Sequence, residues 1–154
     1  MDSTTTEQGI KTLVERHDKI ERQKDWLVEL VEGFFAERQR KSQDEVPVRT
    51  SQLQNLTNRA NETKSVKEIV NFIRYQIGRD TKRKGEDIIR TGWAKDGFGD
   101  HLIGTIEIVR GQAATDKEVA IQLVRLFLGY FQRHARYLEA QKPGSQTPQA
   151  SGKG

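Results

Sequence analysis

The stretch that decides the fold is TDKEVAIQLVRLFLGYFQRHARYLEA, residues 115–140. Thr115 and Glu118 form a capping-box pattern, which predicts that a helix begins here and runs to about Ala140. Apolar side chains cover more than half of its helical wheel, as is typical of a central helix packed against several neighbours. They are Val119, Ala120, Leu123, Val124, Leu126, Phe127, Leu128, Tyr130, Phe131, Tyr137 and Leu138. The remaining face is polar and basic: Arg125, Gly129, Gln132 and Arg136, with Arg133 at its margin.

Upstream of this helix, four further helices are predicted from apolar spacing and capping residues. The first runs from Ile10 or Asp18 to Arg40, and the second begins with an N-cap at Thr50 or Ser51. The third begins with the capping box of Ser65 and Glu68, and the fourth runs from about Asp100 to Gln112. Strand signals are weak, because no sustained alternation of β-branched residues occurs. The sequence therefore predicts an all-α fold, a compact bundle of about five helices in a single domain spanning residues 10–140.

The third helix combines a core face with a basic face. Its apolar stripe consists of Val66, Ile69, Val70, Ile73 and Ile77. The neighbouring stripe holds Lys67, Asn71, Arg74, Gly78 and Lys82, with Arg79 and Arg83 beside it. Gly78 leaves room for a partner to approach closely in the middle of this stripe.

The net charge of +4 is unevenly distributed along the chain. Residues 47–95 hold 11 Lys and Arg against 5 Asp and Glu, whereas residues 1–46 hold 8 against 11. A local basic excess attracts phosphate backbones, although a solvated charged face without a partner is the alternative. If the third and last helices lie side by side, their cations form one groove for RNA. The candidate RNA-binding residues are Lys67, Arg74, Arg79, Lys82, Arg83, Arg125, Arg133 and Arg136.

No catalytic constellation stands out in the sequence. The absence of cysteine excludes thiolate chemistry, and His17, His101 and His134 lack the spacing of metal ligands. The glycine-rich residues 91–100 predict a loop but match neither phosphate-binding glycine pattern. In it, Trp93 and Phe98 either tuck into the bundle or stack on bases. We therefore expect a protein that is not an enzyme and has no cofactor and no metal.

The ends of the chain and its hydropathy indicate which segments are ordered and whether the chain contacts a membrane. Residues 1–9 and 141–154 are expected to be disordered, because neither segment can bury an apolar face. No apolar run is long enough to span a bilayer, and residues 1–6 lack the basic and apolar parts of a secretory signal. These features favour a cytoplasmic protein without membrane contact.

Three segments resemble the small helical subunit of type III CRISPR–Cas effector complexes, in particular of the type III-A branch. They are Thr50-Ser51-Gln52-Leu53, Arg74-Tyr75-Gln76-Ile77-Gly78-Arg79-Asp80 and Gly129-Tyr130-Phe131, and together they span about residues 48–138. The resemblance implies a non-catalytic five-helix bundle, several copies of which stack head to tail. It further implies contact with target RNA, with the guide–target duplex and with larger effector subunits. The long first helix and the glycine-rich stretch from Trp93 to Asp100, which looks like an insertion, depart from the family pattern.

Three other functions remain open from the sequence. The main alternative is a helical protein–protein adaptor or regulator that binds no nucleic acid. A DNA-binding regulator would use the helix Thr50–Glu62 and the next one as a helix-turn-helix, although no clear turn joins them. A metal-dependent hydrolase would build on Asp100 and His101, although three histidines offer few ligands.

Overall fold

The computed structural model describes residues 3–142, and their side chains from Thr6 onwards. It is a bundle of five α-helices with one small hairpin, which confirms the predicted all-α bundle. The helices are α1 (Ser3–Arg40), α2 (Thr50–Glu62), α3 (Val66–Arg79), α4 (Phe98–Gly111) and α5 (Lys117–Gln141). Between α3 and α4 lie strands β1 (Thr81–Lys84) and β2 (Asp87–Arg90) and a kinked 3₁₀ segment (Gly92–Gly97).

Helix α5 lies at the centre of the bundle and packs against α1, α2 and α4. Its buried side chains include Phe127 and Phe131, which are 0% and 1% exposed. The ring of Phe131 meets the rings of Phe34 and Phe35 at centroid distances of 5.0 and 4.8 Å. Burying one such side chain stabilises the fold by about 1.5–3 kcal/mol. The breadth of the apolar face of α5 therefore reflects three packing partners.

Helix α1 runs alongside α5 in the same direction. Arg16 Nε donates to the Asp116 carboxylate at the start of α5 (3.0 Å), whereas Phe35 meets His134 near its end (5.3 Å between centroids). Residues before Arg16 therefore lie beyond the start of α5. There the apolar side chains of α1 are more than half exposed: Ile10 57%, Leu13 64% and Val14 52%.

The N-terminal helix is longer than expected. The structure places residues 3–9 in α1, although this segment was expected to be disordered. Once the packed part of α1 has formed, each added residue gains a backbone hydrogen bond without the cost of a new nucleus, so the helix extends past its core contacts. At the other end, Gln141 is the last residue of α5, although it was also expected to be disordered. Residues 1–2 and 143–154, where the rest of that expectation falls, lie outside the described residues.

The caps of three helices test the predicted starts. Ser65 Oγ accepts a hydrogen bond from Glu68 N at 3.1 Å, which confirms the cap of α3. The prediction for α5 was one residue off, because Asp116 is the N-cap and accepts from the backbone of Glu118 and Val119. A carboxylate is a stronger acceptor for these amides than the Thr115 hydroxyl. The predicted N-cap of α2, Thr50 or Ser51, is wrong, because Arg49 occupies the N-cap position and makes no side-chain cap.

A fully buried arginine fastens the end of α1 to the segment that precedes α4. Arg38 is 0% exposed, and its Nε donates to the carbonyl of Asp44 at 2.9 Å. Its Nη1 and Nη2 donate to the carbonyls of Asp96 (3.3 Å) and Lys95 (3.4 Å). The guanidinium also lies 5.1 Å from the centroid of the Phe98 ring. Arg38 therefore links two loops through polar atoms inside the apolar core, and burial lowers its pKa.

The hairpin overturns the expectation that Lys82 and Arg83 continue α3. The helix ends at Arg79, and β1 pairs with β2 in antiparallel register from Thr81↔Arg90 to Lys84↔Asp87. The two-residue turn places Gly85 at φ +65°, with positive φ only at the first loop position, as in a type II′ turn. A glycine between basic residues and the β-branched Ile88 and Ile89 explains why a hairpin forms here.

Candidate nucleic-acid interface

The outward face of α3 carries three cations, of which two have no acidic partner among the described residues. Lys67 and Arg74 are exposed, and in the part of the chain that the structure describes neither makes an ion pair. Arg79 is also exposed, and its carboxylate neighbour, Asp80, is 4.0 Å away. From residue 64 to residue 90 the chain holds eight Lys and Arg against four Asp and Glu. This face is therefore positive and open to solvent.

The hairpin extends that surface beyond the end of α3. Residues paired across an antiparallel ladder share a face, so Lys82 and Lys84 lie on one face while Arg83 and Arg90 lie on the other. All four side chains are exposed, and so are the two isoleucines, at 41% for Ile88 and 42% for Ile89. Neither face of the hairpin is covered by the bundle, so both present cations to a partner.

Asp80 fixes the base of the hairpin to the bundle. Its Oδ2 accepts from the backbone N–H of Trp93 at 2.9 Å, and its carbonyl accepts from Thr91 N at 3.1 Å. Thr81 Oγ1 donates to the carbonyl of Ile77 at 2.7 Å. Gly92 adopts φ +49°, and a Cβ there would lie 2.4 Å from Asp80 Oδ2. The hairpin therefore leaves α3 in a defined direction, which sets the position of its cations.

The structure does not bring all the predicted residues together. Helix α3 packs mainly against α4 and touches α5 only slightly, so the expected groove between α3 and α5 is absent from the described residues. Arg133 and Arg136 are both exposed on α5, and Arg133 lies beside Val28 and Val31 of α1. Arg133 is 5.7 Å from the centroid of Tyr130 and lines a cavity of about 270 Å³. These two residues are therefore separate from the α3 surface.

Arg125 is hydrogen-bonded to the backbone of another helix, which its position on the helical wheel did not indicate. Its Nε donates to the carbonyl of Ala60 at 3.0 Å, and its Nη2 donates to the carbonyl of Thr63 at 2.8 Å. Both acceptors lie at the C-terminal end of α2, where helical carbonyls lack partners within the helix. We therefore correct the assignment of Arg125 as an RNA contact: its guanidinium caps α2.

The two aromatic residues of the glycine-rich stretch lie in the core. Trp93 is 1% exposed and Phe98 0%, and Phe98 packs edge-on against Phe34 at 5.7 Å between centroids. Of the two readings left open by the sequence, tucking into the bundle is confirmed, and stacking on bases is wrong for these residues. Tyr75 on α3 is the aromatic residue that the sequence analysis missed as a site residue, and it is 62% exposed. Lys84 and Arg90 were missed as well, because no strand was expected.

The polar clusters of the described residues do not form a metal site. Among residues 3–142 no group of three or more His, Asp or Glu side chains is placed to hold a metal ion. His101, the centre of the hydrolase alternative, stacks on Phe34 at 4.0 Å between centroids. Burial lowers the pKa of His101 despite the nearby Glu37. This histidine therefore belongs to the rim of the core.

No helix within the described range is long and apolar enough to cross a membrane. Compared with family models, curated proteins and solved structures, the chain matches none of them.

Proposed function

We propose that this chain is a non-catalytic subunit of an RNA-guided effector complex of the type III CRISPR kind. In that role it contacts the backbone of target RNA, supports filament assembly and takes part in antiviral defence. The partners in this proposal are target RNA and the guide–target duplex, larger effector subunits and further copies of the chain. The site residues are Lys67, Arg74, Arg79, Lys82 and Arg83, joined by Lys84 and Arg90.

The observation that carries the proposal is the set of unpaired cations on α3 and the hairpin. Structural arginines of this chain are engaged, as Arg38 and Arg125 are through backbone carbonyls. Lys67, Arg74 and Lys82 make no such contact among the described residues. The segment Arg74–Asp80, which carries most of the sequence resemblance, lies in the middle of this surface. A row of free cations suits a phosphate backbone, which binds through charge regardless of base sequence.

The surface also suggests how binding would work. An α-helix rises about 1.5 Å per residue, so Lys67 and Arg74 lie about 10 Å apart along α3, and the hairpin continues from its end. Each phosphate neutralised by one of these cations releases counterions. The logarithm of the affinity for a single strand should therefore fall with the logarithm of salt concentration by about 0.7 per contact.

Fluorescence anisotropy with labelled RNA at several salt concentrations tests this proposal. For the triple variant Lys67→Ala, Arg74→Ala and Lys82→Ala we expect weaker binding and a salt slope smaller by about 2, because three phosphate contacts are lost. The matched control removes the same charge from α1 through Lys11→Ala, Arg22→Ala and Arg40→Ala, three exposed cations of that helix. If the control loses as much affinity as the triple variant, binding reflects net charge and the proposed surface is wrong.

A protein–protein adaptor is the second candidate, and one observation favours it. Ile10, Leu13 and Val14 form an exposed apolar stripe where α1 extends beyond the start of α5. Exposed apolar stripes of this kind mark contacts with other proteins. In an adaptor that binds no nucleic acid, Leu13→Glu would abolish a stoichiometric protein complex. Co-purification would show that loss, while the α3 triple variant would leave the complex intact.

A further inference from the structure

We infer that Tyr75 is a stacking platform for an unpaired base, so that the basic surface, whose cations also suit the phosphates of a guide–target duplex, binds single-stranded RNA more tightly than duplex. The inference rests on the proposed RNA contact and adds the strandedness of the ligand. Phosphates are common to single strands and duplexes, so the cations alone do not distinguish them. An exposed aromatic ring does distinguish them, because only an unpaired base has a free face on which the ring can stack.

The exposure of Tyr75 is unusual for an aromatic residue in this chain. The phenylalanines and tryptophans are buried or half-buried. Tyr130 is half-buried beneath Arg133, and Tyr137, at 59% exposed, lies 5.9 Å from the ring of His134. Tyr75 has no ring contact and no side-chain hydrogen bond within the described residues. The fold therefore does not use this ring.

The neighbours of Tyr75 are those of a nucleic-acid platform. Arg74 precedes it, and Arg79 lies one turn further along the same side of α3. Aromatic rings between cations bind single strands, because the ring takes the base while the cations hold the adjoining phosphates. The position of Tyr75 beside the stripe of Lys67 and Arg74 places one base contact within that row of phosphate contacts.

Gly78 keeps the ring accessible. Helical side chains lean towards the N-terminus, so a side chain at position 78 would lie over residues 74 and 75. Glycine leaves that space empty, and a Cβ built at Gly78 meets nothing within 4 Å. Like Gly33, Gly104 and Gly129, Gly78 is required by no turn or close packing, and glycine costs a helix about 1 kcal/mol relative to alanine. The open space above Tyr75 is what the glycine provides.

The test uses the full chain with two RNA probes of equal length, one single-stranded and one duplex, the single strand carrying 2-aminopurine. For Tyr75→Ala we expect a roughly 5- to 100-fold loss of single-strand affinity, while duplex affinity is unchanged. Tyr75→Phe should keep both the affinity and the quenching of 2-aminopurine, because stacking needs only the ring. Gly78→Gln should lose quenching without loss of helicity, because it covers the ring while its Cβ has room.

The matched control is Tyr137→Ala, which removes an equally exposed tyrosine from a different surface. The inference is overturned if Tyr75→Ala weakens both probes equally, if Tyr137→Ala has the same effect, or if Tyr75→Phe binds as poorly as the alanine variant. If the wild-type chain binds RNA of both kinds and Tyr75→Ala changes neither, only the stacking inference fails. If the wild-type chain binds neither probe at low salt, the proposed function fails together with it.

Discussion

Replacing Arg38 by methionine should destabilise the fold more than any change on the basic surface. The substitution keeps a side chain of similar length but removes the donors to three backbone carbonyls. The bond from Nε to the Asp44 carbonyl is 2.9 Å long, whereas those to Asp96 and Lys95, at 3.3 and 3.4 Å, are longer than ordinary N–H···O hydrogen bonds and therefore weak. Hydrogen bonds of charged groups contribute about 1.5–3 kcal/mol each.

Burying the charged guanidinium costs free energy, and methionine avoids this cost, which offsets part of that loss. Counting one strong and two weak bonds, we expect a net loss of about 3 kcal/mol in the free energy of unfolding for Arg38→Met. For a chain of this size the melting temperature should then fall by roughly 6–12 °C. Arg38→Lys should not restore it, because an ammonium cannot reach three acceptors in one plane.

Urea denaturation followed by circular dichroism at 222 nm measures this loss, and the slope of the transition should be unchanged. The control is Arg40→Met, an exposed position two residues further along α1. We expect the control to change the free energy of unfolding by less than about 0.5 kcal/mol. If Arg38→Met is as stable as Arg40→Met, the link through Arg38 contributes nothing and the reasoning is refuted.

Two further predictions concern stability. Arg125→Leu should lower the free energy of unfolding by about 2–3 kcal/mol, because the carbonyls of Ala60 and Thr63 lose their donor. Chemical denaturation measures this loss, with Arg136→Leu as the control. Equal stability of the two variants would contradict the capping role. His101 has a folded pKa below its ordinary value of 6.5, so its contribution to stability is present above that pH and is lost as pH falls through the lowered pKa. His101→Phe should therefore flatten the decline of melting temperature below pH 6.5; an unchanged slope would show that other groups cause it.

The features of the fold that depend on the sequence of a single helix could be predicted. The wide apolar face of α5 indicates a helix with several neighbours, and the Ser65 cap marks the start of α3. The predictions failed for side chains whose hydrogen-bond partners lie far away in the sequence. A helical wheel places Arg125 on a polar face but cannot show that the end of α2 comes within reach of it. The burial of Arg38 depends on carbonyls of two other segments.

The candidate site was partly predictable for a related reason. Lys67 and Arg74 lie within α3, where the wheel applies, and both are exposed as expected. Lys82 and Arg83 were assigned by extending that wheel past Arg79, where the backbone changes to a hairpin. The period of the side chains then changes from 3.6 to 2 residues, so the same cations point to both faces of a ribbon. The sequence therefore identified the charges but not the shape that presents them.

The parallel packing of α1 and α5 has a consequence for how the chain acquires its fold during synthesis. The contact between Arg16 and Asp116 joins residues 100 positions apart, and the main aromatic cluster joins Phe34 with Phe131. Helices α1, α2 and α4 emerge from the ribosome first, and until α5 follows, their apolar faces lack the element that covers them. Because so many native contacts wait for the last helix, folding should be late and cooperative, and slower than in a bundle whose neighbouring helices are consecutive.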